Sequence, residues 1–291
     1  MKINISGKTD IGLERENNED AFSFCPDLTE SNWGLSASNG YFQNGSLGTL
    51  SILADGMGGT NAGEMASSIA VESIKKDFTP SVLVTVVDSE EKIKRLLTKS
   101  IFNANYAILK HIESDPNTIG MGTTIVLIWI LNNKAYIAWC GDSRCYVFNP
   151  NKGLKCLSKD HSYVQELIDK GEITVEQSFN HPDSNIITRC LGDCDAAEPE
   201  VIVYDICKHD QFLLCSDGLC GYCRDKSIEK ILYKEYLDVT KCCVELIKLA
   251  LKAGGQDNIS VLNISTADDN EIDVKPNFRD KVRKFIKTVF K

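Results

Sequence analysis

Five carboxylates in this sequence share one setting. Asp55 in LSILADGMGG, Asp142 in CGDSR, Asp217 in CSDGL and Asp257 in GGQDNIS each fall where an apolar, strand-like run meets a turn, and Glu19 stands just ahead of the alternating Ala21, Phe22, Ser23, Phe24. One aspartate at a turn is ordinary, because its side chain closes an Asx turn. Four with the same grammar call for a common cause. On neighbouring strands of one sheet system they converge on one rim, where like charges demand cations. No histidine or cysteine set accompanies them, which selects Mg²⁺ or Mn²⁺ over Zn²⁺, and the number of carboxylates implies two ions. Gly56 adds an unshielded main-chain carbonyl beside Asp55, a further oxygen for a hard cation.

The elements that must position these groups follow from pattern. Strands are expected over Lys2 to Phe24 with a loop between, over Ile52 to Ala54 leading into Asp55 at a strand end, and over GTTIVLIWIL, KAYIAWCGD and RCYVFN. Asn132-Asn133 reads as a hairpin loop. Later strands are Val201 to Asp205, Gln211 to Cys215 and Ile259 to Ile264. Helices are expected at Ala62 to Phe78, Glu90 to His111, Tyr163 to Lys170, Lys226 to Tyr236 and Val239 to Lys252; in the second, Ile93, Leu96, Leu97, Ile101, Ala104 and Ile108 recur at helical spacing. Cys25 to Gly48 reads as a surface excursion. Helices do not alternate regularly with strands, so the class is α+β.

The chain has 291 residues, 43% hydrophobic and 25% charged, with a net charge of −9. That length supports one large domain with appendages as readily as two domains. The acidic balance argues against nucleic-acid binding, which needs a basic surface. The start, MKINISGKTDIG, lacks the apolar segment of a signal peptide and no run reaches membrane-spanning length, so a cytoplasmic protein is expected. Twelve cysteines are scattered through apolar segments and read as small buried hydrophobes. CGYC, Cys220 to Cys223, does not open a βαβ unit, so redox catalysis is not expected.

RENNEDAF, ADGMGGTNAGE, GTT, GDSR, KDHS, NHPDSNIITRCLG, CSDGL and GGQDNIS occur in the order and at about the spacing of metal-dependent protein serine/threonine phosphatases of type 2C, the PPM family. The chain resembles the bacterial branch, which has DGMGG rather than an Asp-Gly-His. The resemblance implies a sandwich of two antiparallel β-sheets flanked by pairs of antiparallel helices, with a dinuclear metal site at one edge. It implies a domain over 1–266, with a flap at about 163–186 that is mobile and steers substrate choice. By motif, Asp55 bridges both metals, Asp217 and Asp257 complete one site, and Glu19 with the Gly56 carbonyl completes the other. Asp142 resembles the ligand of a third, weaker position, Arg15 grips the substrate phosphate, and Asp20 and Asn258 support the ligands from behind. The implied reaction is hydrolysis of phosphoserine and phosphothreonine in proteins by a water shared between the cations, opposing serine/threonine kinases. Met57 follows Asp55-Gly56 where animal members carry histidine, so the leaving group is expected to take its proton from water, with His161 of KDHS as the side-chain alternative.

Two rival classes compete with this reading. A non-catalytic phosphoprotein-binding scaffold on the same fold would be expected to have lost metal carboxylates, and none is lost. A metal-dependent nuclease would need a basic aromatic groove that this acidic chain lacks. A monomer is expected. The remaining residues, 267–291, leave the family pattern. Lys275 to Lys291 carries seven Lys/Arg and one Asp, a net +6, against −15 on the preceding chain. Its apolar residues recur at helical spacing, which reads as a basic amphipathic helix that can make peripheral contact with an anionic membrane surface, dock against an acidic partner or pack back on the acidic catalytic domain.

Overall fold

A computed structural model describes residues 1–34, 41–58, 62–193, 197–236 and 238–267. The first half of the chain contains strands β1 (Lys2–Asp10), β2 (Asp20–Cys25), β3 (Phe42–Gln43) and β4 (Thr49–Met57). Helices α1 (Ala62–Asp77), α2 (Pro80–Leu83) and α3 (Glu90–Ser114) follow. Strands β5 (Gly122–Thr123), β6 (Ile125–Leu131), β7 (Lys134–Cys140), β8 (Arg144–Asn149) and β9 (Gly153–Cys156) precede two short helices, α4 (Tyr163–Asp169) and α5 (Val175–Ser178). The chain then forms β10 (Glu200–Asp205), β11 (Gln211–Cys215), α6 (Asp217–Cys220), α7 (Asp225–Lys234), α8 (Val239–Lys252) and β12 (Ile259–Ala267).

Two antiparallel sheets result, ordered β3-β1-β12-β11-β8-β9 and β10-β7-β6-β4-β2, with β5 on β4. The all-apolar text of β6 has a simple origin. Ile125, Leu127 and Trp129 face a layer formed with α1 and α3, while Val126, Ile128 and Ile130 face the space between the sheets. Alternate side chains point to opposite faces, so a strand covered on both sides is apolar throughout. On the far side, Leu219, Ile228, Leu232, Leu246 and Ile247 of α6, α7 and α8 pack on the outer face of the first sheet. Helix α3 buries the stripe read from its spacing and is capped by Ser89, whose side chain accepts from the Lys92 N–H. The Asn132-Asn133 hairpin has φ of 50° and 63°, both in the left-handed region that a type I′ turn requires.

Several expectations are corrected. Asp55 is not at a strand end: β4 runs on through Gly56 and Met57, because these pair with Thr123 and Gly122 of β5. The GTTIVLIWIL segment is accordingly two strands, broken at Thr124, which pair with different stretches of β4. Cys25 to Gly48 is not wholly superficial, since Leu28 and Leu47 are buried in the core and Phe42–Gln43 adds a short strand to β1. Beyond its first helix the flap contains a second, α5, capped reciprocally by Thr174 and Gln177. Residues 268–291, and with them the amphipathic segment, lie outside the described residues.

Trp129 joins the layers. It is fully buried, donates from Nε1 to the Leu47 carbonyl at 2.9 Å and meets Phe78 edge-on with ring centroids 5.3 Å apart. Trp129→Ala is expected to cost about 3–5 kcal/mol, the range for truncating a large buried aromatic residue. Urea unfolding should show this as a lowered midpoint at unchanged slope; a loss below about 1 kcal/mol would contradict the assigned packing role.

Candidate active site

Strand pairing brings the acids together. Antiparallel register sets Asp20 of β2 opposite Asp55 of β4. The two threonines of GTT then hold Asp55: its carbonyl accepts from the Thr124 N–H and the Thr123 hydroxyl, both at 2.8 Å, and its own N–H donates to Thr124 Oγ1 at 3.1 Å. Thr124 Oγ1 lies 2.7 Å from Ser143 Oγ, so one hydroxyl pair links the Asp55 strand to the turn that carries Asp142. Asp217 is the first residue of α6, directly after β11 and Ser216. Asp257 lies two residues before β12, with Asn258 between.

Glu19 is held through its backbone. Its N–H donates to Asn258 Oδ1 at 2.8 Å, and its carbonyl accepts from the Gly56 N–H at 3.1 Å and the Ser67 hydroxyl at 2.6 Å. Its carboxylate rests on the start of α1, where a Cβ on Gly63 would lie 2.7 Å from Glu19 Cδ. A Cβ on Gly56 would lie 2.1 Å from the Gly63 carbonyl oxygen, so only glycines permit this approach. Asn258 closes the other side: its Nδ2 donates to the carbonyls of Ile11 and Asn17, both at 2.9 Å, fastening the β1–β2 loop to the head of β12. That loop carries Arg15, whose guanidinium donates to Asp257 Oδ2 at 2.8 Å while half its side chain remains exposed. Behind the acids, the Ser216 hydroxyl donates to Asp20 Oδ2 at 2.9 Å.

The carboxylates disturb one another. Loss of water around it pushes the Asp55 carboxyl well up, and the charges of Asp20, Asp217, Asp142 and Asp257 push it further. Asp20 is raised to about 7 by desolvation, against the hydroxyls of Ser260 and Ser216, with Asp217 and Asp257 adding repulsion. Asp217 is raised to about 6 by desolvation and Asp257, a rise partly offset by a hydrogen bond with Asp55. Asp142 is raised well above the usual range by burial and then by Asp217. Glu19 is raised by desolvation, against the pull of Arg15. Each of these side chains other than Asp142 keeps some solvent contact at the open edge, yet enough water is displaced to leave charge poorly screened.

A cation fits this set. Asp20 Oδ1 and Asp142 Oδ1 are buried oxygens without a hydrogen-bond partner, and the Gly56–Gly63 contact gives Glu19 a close seat beside Asp55. All donors are oxygens, the chemistry of Mg²⁺ or Mn²⁺. Among the described residues no three His, Cys, Asp or Glu side chains are already drawn into one coordination sphere. His161 is no acid at this edge: it is 6% exposed, its Nδ1 accepts from the Gly141 N–H at 3.1 Å and its Nε2 faces Glu200 Oε1 at 3.2 Å. It braces the turn that carries Asp142, and burial lowers its pKa and keeps it neutral.

All nine residues singled out from sequence stand at this edge or directly behind it. Sequence reading missed Gly63, Ser67, Thr124, Ser143, Ser216 and the bracing role of His161. All but Ser67 lie inside motifs already marked (AGE, GTT, GDSR, KDHS, CSDGL), so the signal was there; what it lacked was which atom each would reach.

The Protein phosphatase 2C family model matches residues 14–259. The serine/threonine phosphatase stp of Listeria monocytogenes is 36% identical over 255 residues, covering 88% of this chain and 92% of that protein. The protein phosphatase PhpP of Streptococcus pneumoniae is 31% identical over 268 residues, covering 92% of this chain and 99% of PhpP. Among solved structures, the S. agalactiae serine/threonine phosphatase superposes with a TM-score of 0.76 at 32% identity, covering 90% of this chain and 98% of its own. The catalytic domain of the serine/threonine protein phosphatase PstP in complex with 2 manganese ions gives 0.69 at 30% identity, covering 92% and 99%. The chain belongs to the protein phosphatase 2C family. Within it, the similar proteins are bacterial serine/threonine phosphatases, as the DGMGG motif implied.

The raised carboxyls predict how the metal-free protein responds to pH. Their folded pKa values of about 6 and about 7, for Asp217 and Asp20, lie above the reference value of 3.8. Stability from these groups is therefore full below 3.8 and is lost as pH rises through about 6 to 7. In EDTA, the melting temperature should fall between pH 5 and pH 8, and saturating Mn²⁺ should remove most of that fall. A metal-free melting temperature that rises over this range would contradict the repulsion.

Proposed function

We propose that this chain hydrolyses phosphoserine and phosphothreonine in proteins using two divalent cations, Mn²⁺ or Mg²⁺, with a third, weaker ion at Asp142. The observation that carries this reading is the set of mutually repelling aspartates, with orphaned oxygens and a glycine-lined seat for Glu19, in a protein phosphatase 2C chain. Asp55 would be shared by both core ions, Asp217 and Asp257 would complete one, and Glu19 with the Gly56 carbonyl would complete the other. When bound, the cations supply an activated water near neutral pH and offset charge on the phosphoryl oxygens.

The remaining roles belong to the chain. Arg15 presents an exposed guanidinium next to Asp257, suited to two-pronged contact with a phosphate. Asn258 and Ser216 keep the Glu19 loop and Asp20 in place, so the acids need not reorganise as charge develops. The GTT hydroxyls keep Asp142 in step with Asp55. With Met57 after Gly56 and His161 buried, the leaving oxygen takes its proton from water. The domain is taken as 1–266, with a mobile flap at about 163–186 that ranks phosphoprotein substrates, the opposing enzymes being serine/threonine kinases. The protein is taken as a cytoplasmic monomer; among the described residues no helix is long and apolar enough to cross a membrane.

Two substitutions separate the roles. Asp55→Asn should be nearly inactive on a phosphothreonine peptide and should bind both core ions poorly, whereas Asp142→Ala should lower turnover while calorimetric titration still finds two tight Mn²⁺ sites. Full activity of the wild type in excess EDTA, or of Asp55→Asn, would sink the assignment; loss of both tight sites in Asp142→Ala would sink the third-ion role.

The basic segment from Lys275 to Lys291 is proposed as a peripheral membrane contact, on the strength of its net +6 against the −15 of the rest. The full chain should sediment with anionic vesicles at low salt, and a version ending at Asn270 should not; if both stay in the supernatant, the membrane reading is wrong and the tail is intramolecular or partner-directed.

A further inference from the structure

Arg224 stands out among the described arginines. Arg15, Arg95, Arg144 and Arg189 are paired with Asp257, Glu91, Asp160 and Glu200 respectively. Arg224 makes no guanidinium hydrogen bond or ion pair among the described residues. Instead its guanidinium carbon lies 3.6 Å from the centroid of the Phe179 ring. Phe179 caps the C-terminal end of α5 in the flap, and Arg224 caps the start of α7, so the stack bridges the flap and the segment that follows Asp217. A guanidinium stacked on a ring keeps its N–H donors in its own plane. The ring therefore fixes the orientation of the group without using its donors, and the side chain remains exposed in an acidic molecule.

Its distance from the site can be gauged along the chain. Tyr222, two residues earlier, is half-buried and feels the charges of Asp217, Asp257 and Arg15. The backbone between is turned helically, with the Gly221 N–H on the Asp217 carbonyl and the Cys223 N–H on that of Leu219. α6 ends at Cys220, and a helical rise of about 1.5 Å carried over the seven residues sets the backbones of Asp217 and Arg224 on the order of 10 Å apart. An extended peptide spans that in about three residues.

We propose that Arg224, held flat on Phe179, is a specificity residue of the phosphatase, taking an anionic group of the substrate, a carboxylate or a second phosphate, about three residues from the phosphoryl group that is removed. This deepens the phosphatase reading and rests on it. It also gives CGYCR a role: Cys220 and Cys223 are buried, and what reaches solvent from the segment is Tyr222 and Arg224.

The test uses the full chain with Mn²⁺ and phosphothreonine peptides alike except at the positions three before and three after the phosphothreonine, where Ala, Glu, Lys or a non-hydrolysable phosphonate residue is placed. In one of the two directions, kcat/KM should rank Glu or phosphonate above Ala and Ala above Lys. The spread should be about fivefold, carried mainly by KM, and should shrink as salt is raised, as expected for an exposed charge pair. Arg224→Glu should invert the order. Arg224→Lys should keep it with a smaller spread, because the charge stays and the planar stack is lost. A response to Glu alone identifies a carboxylate as the group, and one to phosphonate alone a phosphate. No ranking in the wild type, or an equal loss on every peptide in Arg224→Glu, would overturn the proposal and make the stack a pin for the flap. A wild-type enzyme inactive on all the peptides and on p-nitrophenyl phosphate would overturn the phosphatase reading itself.

Discussion

Like charges held at one edge of a sandwich are the constraint on which this structure turns. Burial and one another's charge, with that of Asp257, raise the proton affinity of Asp20, Asp55, Asp142 and Asp217, so the folded chain holds its carboxylates in an arrangement that water alone does not favour. The strands and helices must supply enough burial elsewhere to sustain that edge. They do so with apolar layers between and outside the sheets, which account for the continuous hydrophobic text of β6 and β11.

The acids are held mainly by backbone and hydroxyl contacts. Glu19 is fixed through its own N–H and carbonyl, Asp55 through Thr123 and Thr124, and the β1–β2 loop through the Asn258 amide. Such contacts leave the carboxylate oxygens available, whereas salt bridges would occupy them. Two carboxylates depart from this: Asp20 Oδ2 accepts from the Ser216 hydroxyl, and Asp257 shares one oxygen with the half-exposed Arg15 guanidinium.

Around this edge the rest of the molecule sorts charge. Arg144 is spent on Asp160 and Arg189 on Glu200, both at the base of the flap, and His161 is kept neutral beneath the Asp142 turn. Residues placed in this way stiffen the frame. Arg15 and Arg224 keep exposed side chains, one beside the acids and the other stacked on Phe179 of the flap.

Sequence by itself determined the identity of the acids, the α+β class and most element positions, because these depend on residue type and period: alternation in β1 and β2, the 3.6-residue stripe of α3, the Asn-Asn turn, and carboxylates beside glycines. Eight motifs in order carried the family as well. Tertiary structure alone decided where Asp55 sits within its strand, because β5 pairs Thr123 with Gly56 and Gly122 with Met57, 67 and 65 positions away along the chain. It decided that Leu28 and Leu47 are core, that His161 is a brace, and that Arg224 lies on Phe179. Each of these is set by a partner far along the chain, and a local pattern has no means of encoding which distant surface will arrive to meet it.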